Sequence, residues 1–372
     1  MPKYYMPTIL LSGSGCVKRH PRHLLHGDSC MVITGANSAD VSGALDDVKD
    51  VLRMNNVLFQ VYSGVNSNTN ISEIYAISRI VKQSGLKYII GIGGGSVIDV
   101  AKAVAVYASN TMQPMDIFSE CYDNPPLKVV AIPTTAGTGS DTTQYVMLTI
   151  DEPSNKRSFS SEVCFPYATY LDTRYTLTLP IDVTRNTAID ALCHAVESYL
   201  NTKSSPFSDI VALEAIRLIG ECAGALVSGE LTEEHREKLL VAASSGGMAV
   251  AHTGLNLVHS MGHNLTCSKD IPHGRANGVL LVEFISYMAK TDIMRAVRVV
   301  NAFGMELTGF KRFIDAVVPI NAKITEEDIR QWSELPIDNS VLENCPANVT
   351  KDDIYNIYYN ALINKERNYN EW

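Results

Sequence analysis

Asp190 and His194 lie four residues apart in TAIDALCHAVESYL, whose apolar spacing predicts a helix, so both side chains leave one face of consecutive turns. A carboxylate and an imidazole placed this way supply half of a coordination shell for a divalent cation. The other half has three candidates. His259, His263 and His273 fall within fifteen positions of GLNLVHSMGHNLTCSKDIPHGRANG, although the whole chain has only 9 histidines. His259 and His263 repeat the i, i+4 spacing and His273 follows in a Pro-His-Gly turn, so spacing leaves open which of the three complete the shell. A single Asp/His pair is as readily a surface hydrogen bond; the second pair and the turn are what favour a metal. Imidazoles with one carboxylate suit zinc or ferrous iron better than calcium or magnesium, which prefer oxygen shells.

Elements able to carry such a site follow from periodicity. In the first half, β-branched runs alternate with amphipathic helical patterns: strands at Cys30–Thr34, Leu58–Val65, Tyr88–Ile92 and Lys128–Ile132, helices at Ala39–Met54, Ile71–Ser84 and Val97–Ala108. Strands of this length separated by helices predict βαβ units around a parallel sheet buried on both faces. From about Pro180 the pattern becomes helical: Val183–Tyr199, Ser208–Ile219, Glu233–Ala251 and Asn277–Ala289, with 290–346 legible only as helices and loops. The expected fold is thus an α/β domain over 1–180 and an all-helical domain over 181–372 that holds the histidines.

Two loops follow strands of the α/β domain. Gly93, Gly94 and Gly95 lead from the third strand into a helix near Ser96, where glycines admit a ligand close to the backbone and a helix N-terminus attracts phosphate. Neither a Gly-x-Gly-x-x-Gly fingerprint nor a P-loop is present, and Ser96 with Asp99 is equally readable as an N-cap and its partner. The second loop, Pro133-Thr-Thr-Ala-Gly-Thr-Gly-Ser140, is dense in hydroxyls and suits a polar ligand at the carboxyl edge of the sheet.

At 372 residues the chain exceeds one comfortable core, and 46% apolar with 19% charged residues is ordinary for a globular enzyme. A net charge of −9 offers no footprint for nucleic acid or an anionic membrane. The N-terminus lacks the pattern of a secretory signal, no apolar run is long enough to span a bilayer, and 8 scattered cysteines include no Cys-x-x-Cys. A cytoplasmic protein acting on small molecules is expected.

GGGSVIDVAK at 93–102, PTTAGTGSD at 133–141, AIDALCHAVESYL at 188–200 and GLNLVHSMGHNLTCSKDIPHGRANGVLL at 254–281 together resemble the iron-containing (group III) alcohol dehydrogenase family. The resemblance implies a dehydroquinate synthase-like fold and hydride transfer between a pyridine dinucleotide and a small primary alcohol or aldehyde. It implies metal ligands Asp190, His194, His259 and His273, and leaves His263 unligated near the substrate as a proton relay. Phosphate contacts would come from Gly94, Gly95 and Ser96, with Asp99 in the same motif, and Thr134, Thr135 and Thr138 would face the nicotinamide side. The chain departs from the family pattern at Asp141, where Glu is usual, and at Val282, where Pro is usual. NAD-preferring members carry Asp where Gly35 stands, so the loop through Gly35 and Ser38 leaves room for a 2′-phosphate, and NADP(H) is expected, with NAD(H) as a second cofactor. Fe2+ and Zn2+ both fit the ligand set. A homodimer or larger homo-oligomer is expected. The readings to be told apart from it are a polyol dehydrogenase of the same superfamily, a sugar-phosphate lyase and a metal-stabilised structural protein.

Overall fold

The computed structural model describes residues 3–150 and 155–364; the outer ends of the two expected domains, 1–2 and 365–372, lie outside the described residues. Contacts divide the chain into two compact units, Met6–Leu179 and Met1–Tyr5 with Pro180–Trp372. The expectation of a first domain beginning at residue 1 therefore differs from the structure at its start. Tyr5 belongs to the helical unit because its N–H donates to Nε2 of His252 at 2.8 Å, and Tyr4 stacks on the same ring with centroids 4.0 Å apart.

The α/β unit holds strands β1 (Ile9–Ser12), β2 (Ser29–Gly35), β3 (Leu58–Val65), β4 (Tyr88–Gly93), β5 (Lys128–Pro133), β6 (Tyr145–Ile150), β7 (Asn155–Ser160) and β8 (Ala168–Leu171). Its helices are α1 (Cys16–Arg19), α2 (Ser38–Val41), α3 (Ala44–Met54), α4 (Ile71–Gln83) and α5 (Gly95–Ser109). Six strands form a parallel sheet in the order β1-β8-β5-β4-β2-β3. Alternation explains why the central strands read as unbroken apolar runs. Met31, Ile33 and Ile89 enter one core layer with α4 and α5, whereas Cys30, Val32, Tyr88, Ile90 and Ile92 enter the other with α3. The chain runs from β2 to β3 on one side and from β4 to β5 on the other. The carboxyl ends of β2 and β4 therefore flank a topological switch point, the place where open α/β sheets bind ligands.

Two local expectations are corrected. The helix expected over Ala39–Met54 is two, α2 and α3, parted at Gly43, whose φ of 78° lies in the left-handed region. Asn37 precedes α2 at the cap position without a side-chain cap hydrogen bond, and Ser38 is the first residue of the helix. Helix α5 starts at Gly95 with Gly94 before it and no side-chain cap, so Ser96 is inside the first turn and Asp99 is too far along to be its capping partner. Asp99 turns inward instead. Its Oδ2 accepts the Met147 N–H at 3.0 Å, and Lys102 Nζ lies 3.8 Å from its Oδ1 while donating to the carbonyls of Thr143 (2.8 Å) and Tyr145 (3.0 Å). This buried pair fastens the antiparallel β6–β7 hairpin to α5. Burial pushes the Asp99 carboxyl up and the Lys102 ammonium down, and each charge opposes the shift of the other.

The second unit is helical: α6 (Ile181–Tyr199), α7 (Pro206–Glu221), α8 (Ala223–Ser228), α9 (Glu233–Thr253), α10 (Leu257–Lys269), α11 (His273–Ala289), α12 (Ile293–Phe303), α13 (Leu307–Val317), α14 (Glu326–Glu334), α15 (Asn339–Asn344) and α16 (Lys351–Leu362). Helix α6 packs against α9, α10 and α11, and α10 against α11; α6, α10 and α11 carry the histidine constellation. Among the described residues no helix is long and apolar enough to cross a membrane.

Candidate metal centre and cofactor loops

Three helices converge on one point. Helix α6 presents Asp190 and His194 from successive turns, α10 presents His259 from its first turn, and α11 begins at His273. The approach of α11 to α6 depends on Gly274, where a Cβ would lie 1.8 Å from the Asn186 carbonyl oxygen and 3.2 Å from Asp190 Cβ. Ligand atoms of Asp190, His259 and His273 all lie within 4.8 Å of one another. Asp190 Oδ1 is 3.5 Å from His259 Nε2 and 3.6 Å from His273 Nε2. His194 sits against this trio with its ring stacked on that of His259, centroids 4.6 Å apart and planes 11° from parallel. His263 stands apart from the trio, exposed one turn along α10, with its Nε2 3.3 Å from Cys267 Sγ.

The donor set fits a divalent cation. His194 Nδ1 and His259 Nε2 are buried and have no hydrogen-bond partner among the described residues, an arrangement that is costly unless something else engages them. Charge points the same way. Burial opposes it, yet the His194, His273 and His259 rings hold the Asp190 carboxyl well below the usual carboxylate range. Burial pulls the His194 imidazole down to about 4 against the pull of Asp190. Burial also works against a charged His259, but Glu197 and Asp190 push its imidazole up to about 10. Two buried carboxylates thus demand positive charge at a point where imidazole nitrogens gather, and a bound cation would meet that demand in place of a proton.

Two residues at this centre escaped the sequence reading. Glu197, fully buried on α6, accepts from His259 Nδ1. Asn277, fully buried on α11, donates from Nδ2 to Asp190 Oδ1 at 3.0 Å and lies 3.1 Å from His273 Nε2. Their spacing held a signal: Glu197 continues the Asp190–His194 stripe at i+7, and Asn277 follows His273 at i+4.

In the α/β unit, the residues expected to contact a dinucleotide gather on the loops after β2, β4 and β5, which are neighbouring strands. Gly35 ends β2, with Ser38 exposed on the following turn. Gly94, Gly95 and Ser96 open the uncapped N-terminus of the fifteen-residue α5, a site suited to phosphate. Thr134, Thr135 and Thr138 follow β5 and pack on that turn: a Cβ on Gly95 would lie 2.6 Å from Thr138 Oγ1. Thr134 Oγ1 is buried without a partner among the described residues, as befits a hydroxyl awaiting a polar ligand. Asp99 lies farther along α5, with its Oδ2 accepting the Met147 N–H at 3.0 Å and its Oδ1 3.8 Å from Lys102 Nζ.

Comparison with known proteins covers both units. The model of "Iron-containing alcohol dehydrogenase" matches residues 7–173, and that of "Fe-containing alcohol dehydrogenase family, C-terminal" matches 184–362. The NADPH-dependent butanol dehydrogenase of Clostridium saccharobutylicum is 26% identical over 96% of this chain and 97% of its own length. The lactaldehyde reductase of Escherichia coli (strain K12) is 27% identical over 86% of this chain and 88% of its own. An iron-containing alcohol dehydrogenase from Thermotoga maritima of known structure superposes with a TM-score of 0.86 at 33% identity, covering 97% of this chain and 99% of that one. With both units matched and the same fold found in a solved relative, the chain belongs to the iron-containing alcohol dehydrogenase family and is an NAD(P)-dependent oxidoreductase.

Proposed function

We propose that this protein is a metal-dependent aldehyde reductase and alcohol dehydrogenase that moves hydride between NADP(H) and a small primary alcohol or its aldehyde. Asp190, His194, His259 and His273 would hold one Fe2+ or Zn2+. The observation that carries the reading is the convergence of Asp190, His259 and His273 ligand atoms within 4.8 Å, two of the three side chains being buried. When bound, the cation supplies Lewis acidity toward the substrate oxygen and the nicotinamide supplies or accepts hydride.

The chain's own groups do the rest. Asp190 contributes the negative charge, and Asn277 holds its Oδ1. His263, exposed one turn beyond His259 on α10, is suited to exchanging a proton between substrate and solvent. The uncapped α5 N-terminus with Gly94, Gly95 and Ser96 would take the pyrophosphate, and Thr134, Thr135 and Thr138 the nicotinamide end. The absence of a carboxylate at Gly35 favours a cofactor with a 2′-phosphate, in keeping with the NADPH dependence named for the Clostridium relative. That relative's butanol likewise supports a primary alcohol over a polyol.

The test is oxidation of NADPH by protein loaded with Fe2+ or Zn2+, followed by absorbance over a panel of short aldehydes, with glycerol and NADP+ as the polyol arm. Turnover of unbranched aldehydes is expected. No oxidation across the panel overturns the reading, and turnover confined to glycerol reassigns the substrate.

A further inference from the structure

Asp190, His194 and Glu197 recur at i, i+4 and i+7 on α6 and form one stripe along it. The first two face the metal centre, while the third is wholly buried and reaches α10. Its two oxygens have different tasks. Oε1 accepts the N–H of Asn256 at 3.0 Å and of His259 at 3.2 Å, the residue before α10 and the third residue of its first turn. Oε2 accepts from His259 Nδ1. One carboxylate from α6 thus caps the N-terminus of α10 and fixes the ring of the histidine in its first turn.

We propose that Glu197 is the positioning residue that joins two helical half-sites into one metal site. Because Nδ1–H is committed to Glu197, His259 has only Nε2 left to offer, and that atom faces Asp190 Oδ1 at 3.5 Å. A carboxylate receiving the far N–H of a ligating imidazole fixes its tautomer and orientation and raises its basicity. The same side chain holds the backbone of α10, so the ring and the helix carrying it are located from α6, the helix that also carries Asp190 and His194. Glutamine would fill the same space but present only one acceptor oxygen, and its NH2 would face a donor.

The inference rests on the metal-centre reading, and cobalt(II) binding separates the two. Metal-free wild-type protein and the Glu197→Gln, Glu197→Asp and Asp190→Ala variants are titrated with Co2+ in competition with a chelator. The visible spectrum of bound Co2+ and the thermal midpoint of the metal-free proteins are recorded in parallel. Wild-type protein is expected to bind one Co2+ and Asp190→Ala to lose it. Glu197→Gln should weaken Co2+ by about 10- to 100-fold and alter the spectrum, the range for such supporting partners of metal ligands. Glu197→Asp keeps the charge but shortens the reach; it should weaken binding as well, and it carries the test if the glutamine variant does not fold. Co2+ affinity in the folded variants within about twofold of wild type, with an unchanged spectrum, overturns the positioning role. So does a lowered thermal midpoint with affinity retained, which would make Glu197 a helix cap alone. No Co2+ site in wild-type protein, or one indifferent to Asp190→Ala, overturns the metal centre itself.

Discussion

Asp190, Glu197 and His259 in the helical unit are buried polar side chains, each tied to others of its kind, whereas the loops after β2, β4 and β5 present glycines and hydroxyls around the uncapped N-terminus of α5. The first site is built from donors that nothing else can replace. The second is built largely from what is left out, so that a phosphate could approach main-chain N–H groups. Removing an atom should therefore be most damaging in the helical unit, and adding one most damaging in the α/β unit.

The largest expected effect tests the first half of that contrast. Asp190→Ala or His259→Ala should lower kcat/KM for aldehyde reduction by on the order of a thousandfold, because Lewis acidity is worth several kcal/mol of barrier. NADPH affinity, read by nucleotide fluorescence, should stay within about twofold, since no cofactor contact is removed. Activity above about a tenth of wild type would show that the convergence of these donors is structural.

Asp99 breaks the pattern within the α/β unit, being a buried charge among loops that work through their backbone. Its carboxylate ties Met147 and Lys102 into the scaffold, so Asp99→Ala should destabilise the protein by about 3 kcal/mol, the scale for stranding a buried partner charge. Urea unfolding measures this, and KM for NADPH should not move. A raised KM with unchanged stability would return Asp99 to the cofactor site.

How much of each region was legible follows from the same contrast. Central strands such as Tyr88–Gly93 were readable because both faces are buried and the sequence is apolar throughout. The β6–β7 hairpin was not, since Asn155–Ser160 is polar and its place depends on Lys102 and Asp99 from a distant helix. Asp190 and His194 could be paired by helical spacing alone. His259 and His273 could not be chosen over His263 that way, because their meeting depends on how α10 and α11 pack against α6. Glu197 was overlooked because a glutamate on a helix looks like a solvated one until its burial is known. The α2–α3 break was hidden by apolar spacing that continues on both sides of Gly43.

Adding one methyl group tests the second half of the contrast. A Cβ on Gly95 would meet Thr138 Oγ1 at 2.6 Å and Cγ2 at 2.7 Å, forcing the turns after β4 and β5 apart. Gly95→Ala should cost about 1–3 kcal/mol, as overpacking does, and raise KM for NADPH more than it lowers kcat. An unchanged KM would show that the α5 N-terminus does not meet the cofactor.

Gly35 gives the smallest and most specific effect, because there a side chain can be added without a severe clash. Its Cβ would lie 3.3 Å from Ser38 Oγ, 3.5 Å from the Val65 carbonyl oxygen and 3.7 Å from Val97 Cγ2, so a Cβ is accommodated with a small shift of the Ser38 hydroxyl. A carboxylate at the end of β2 would repel a 2′-phosphate and accept from the ribose hydroxyls of the unphosphorylated cofactor. Gly35→Asp should therefore lower the ratio of kcat/KM for NADPH to that for NADH by about tenfold, or about 1.4 kcal/mol in differential binding. Stability should change little. A folded variant with the wild-type ratio would move the 2′-phosphate away from this loop, and a wild-type protein already tenfold better with NADH would show that an uncovered strand end is not enough to select NADPH.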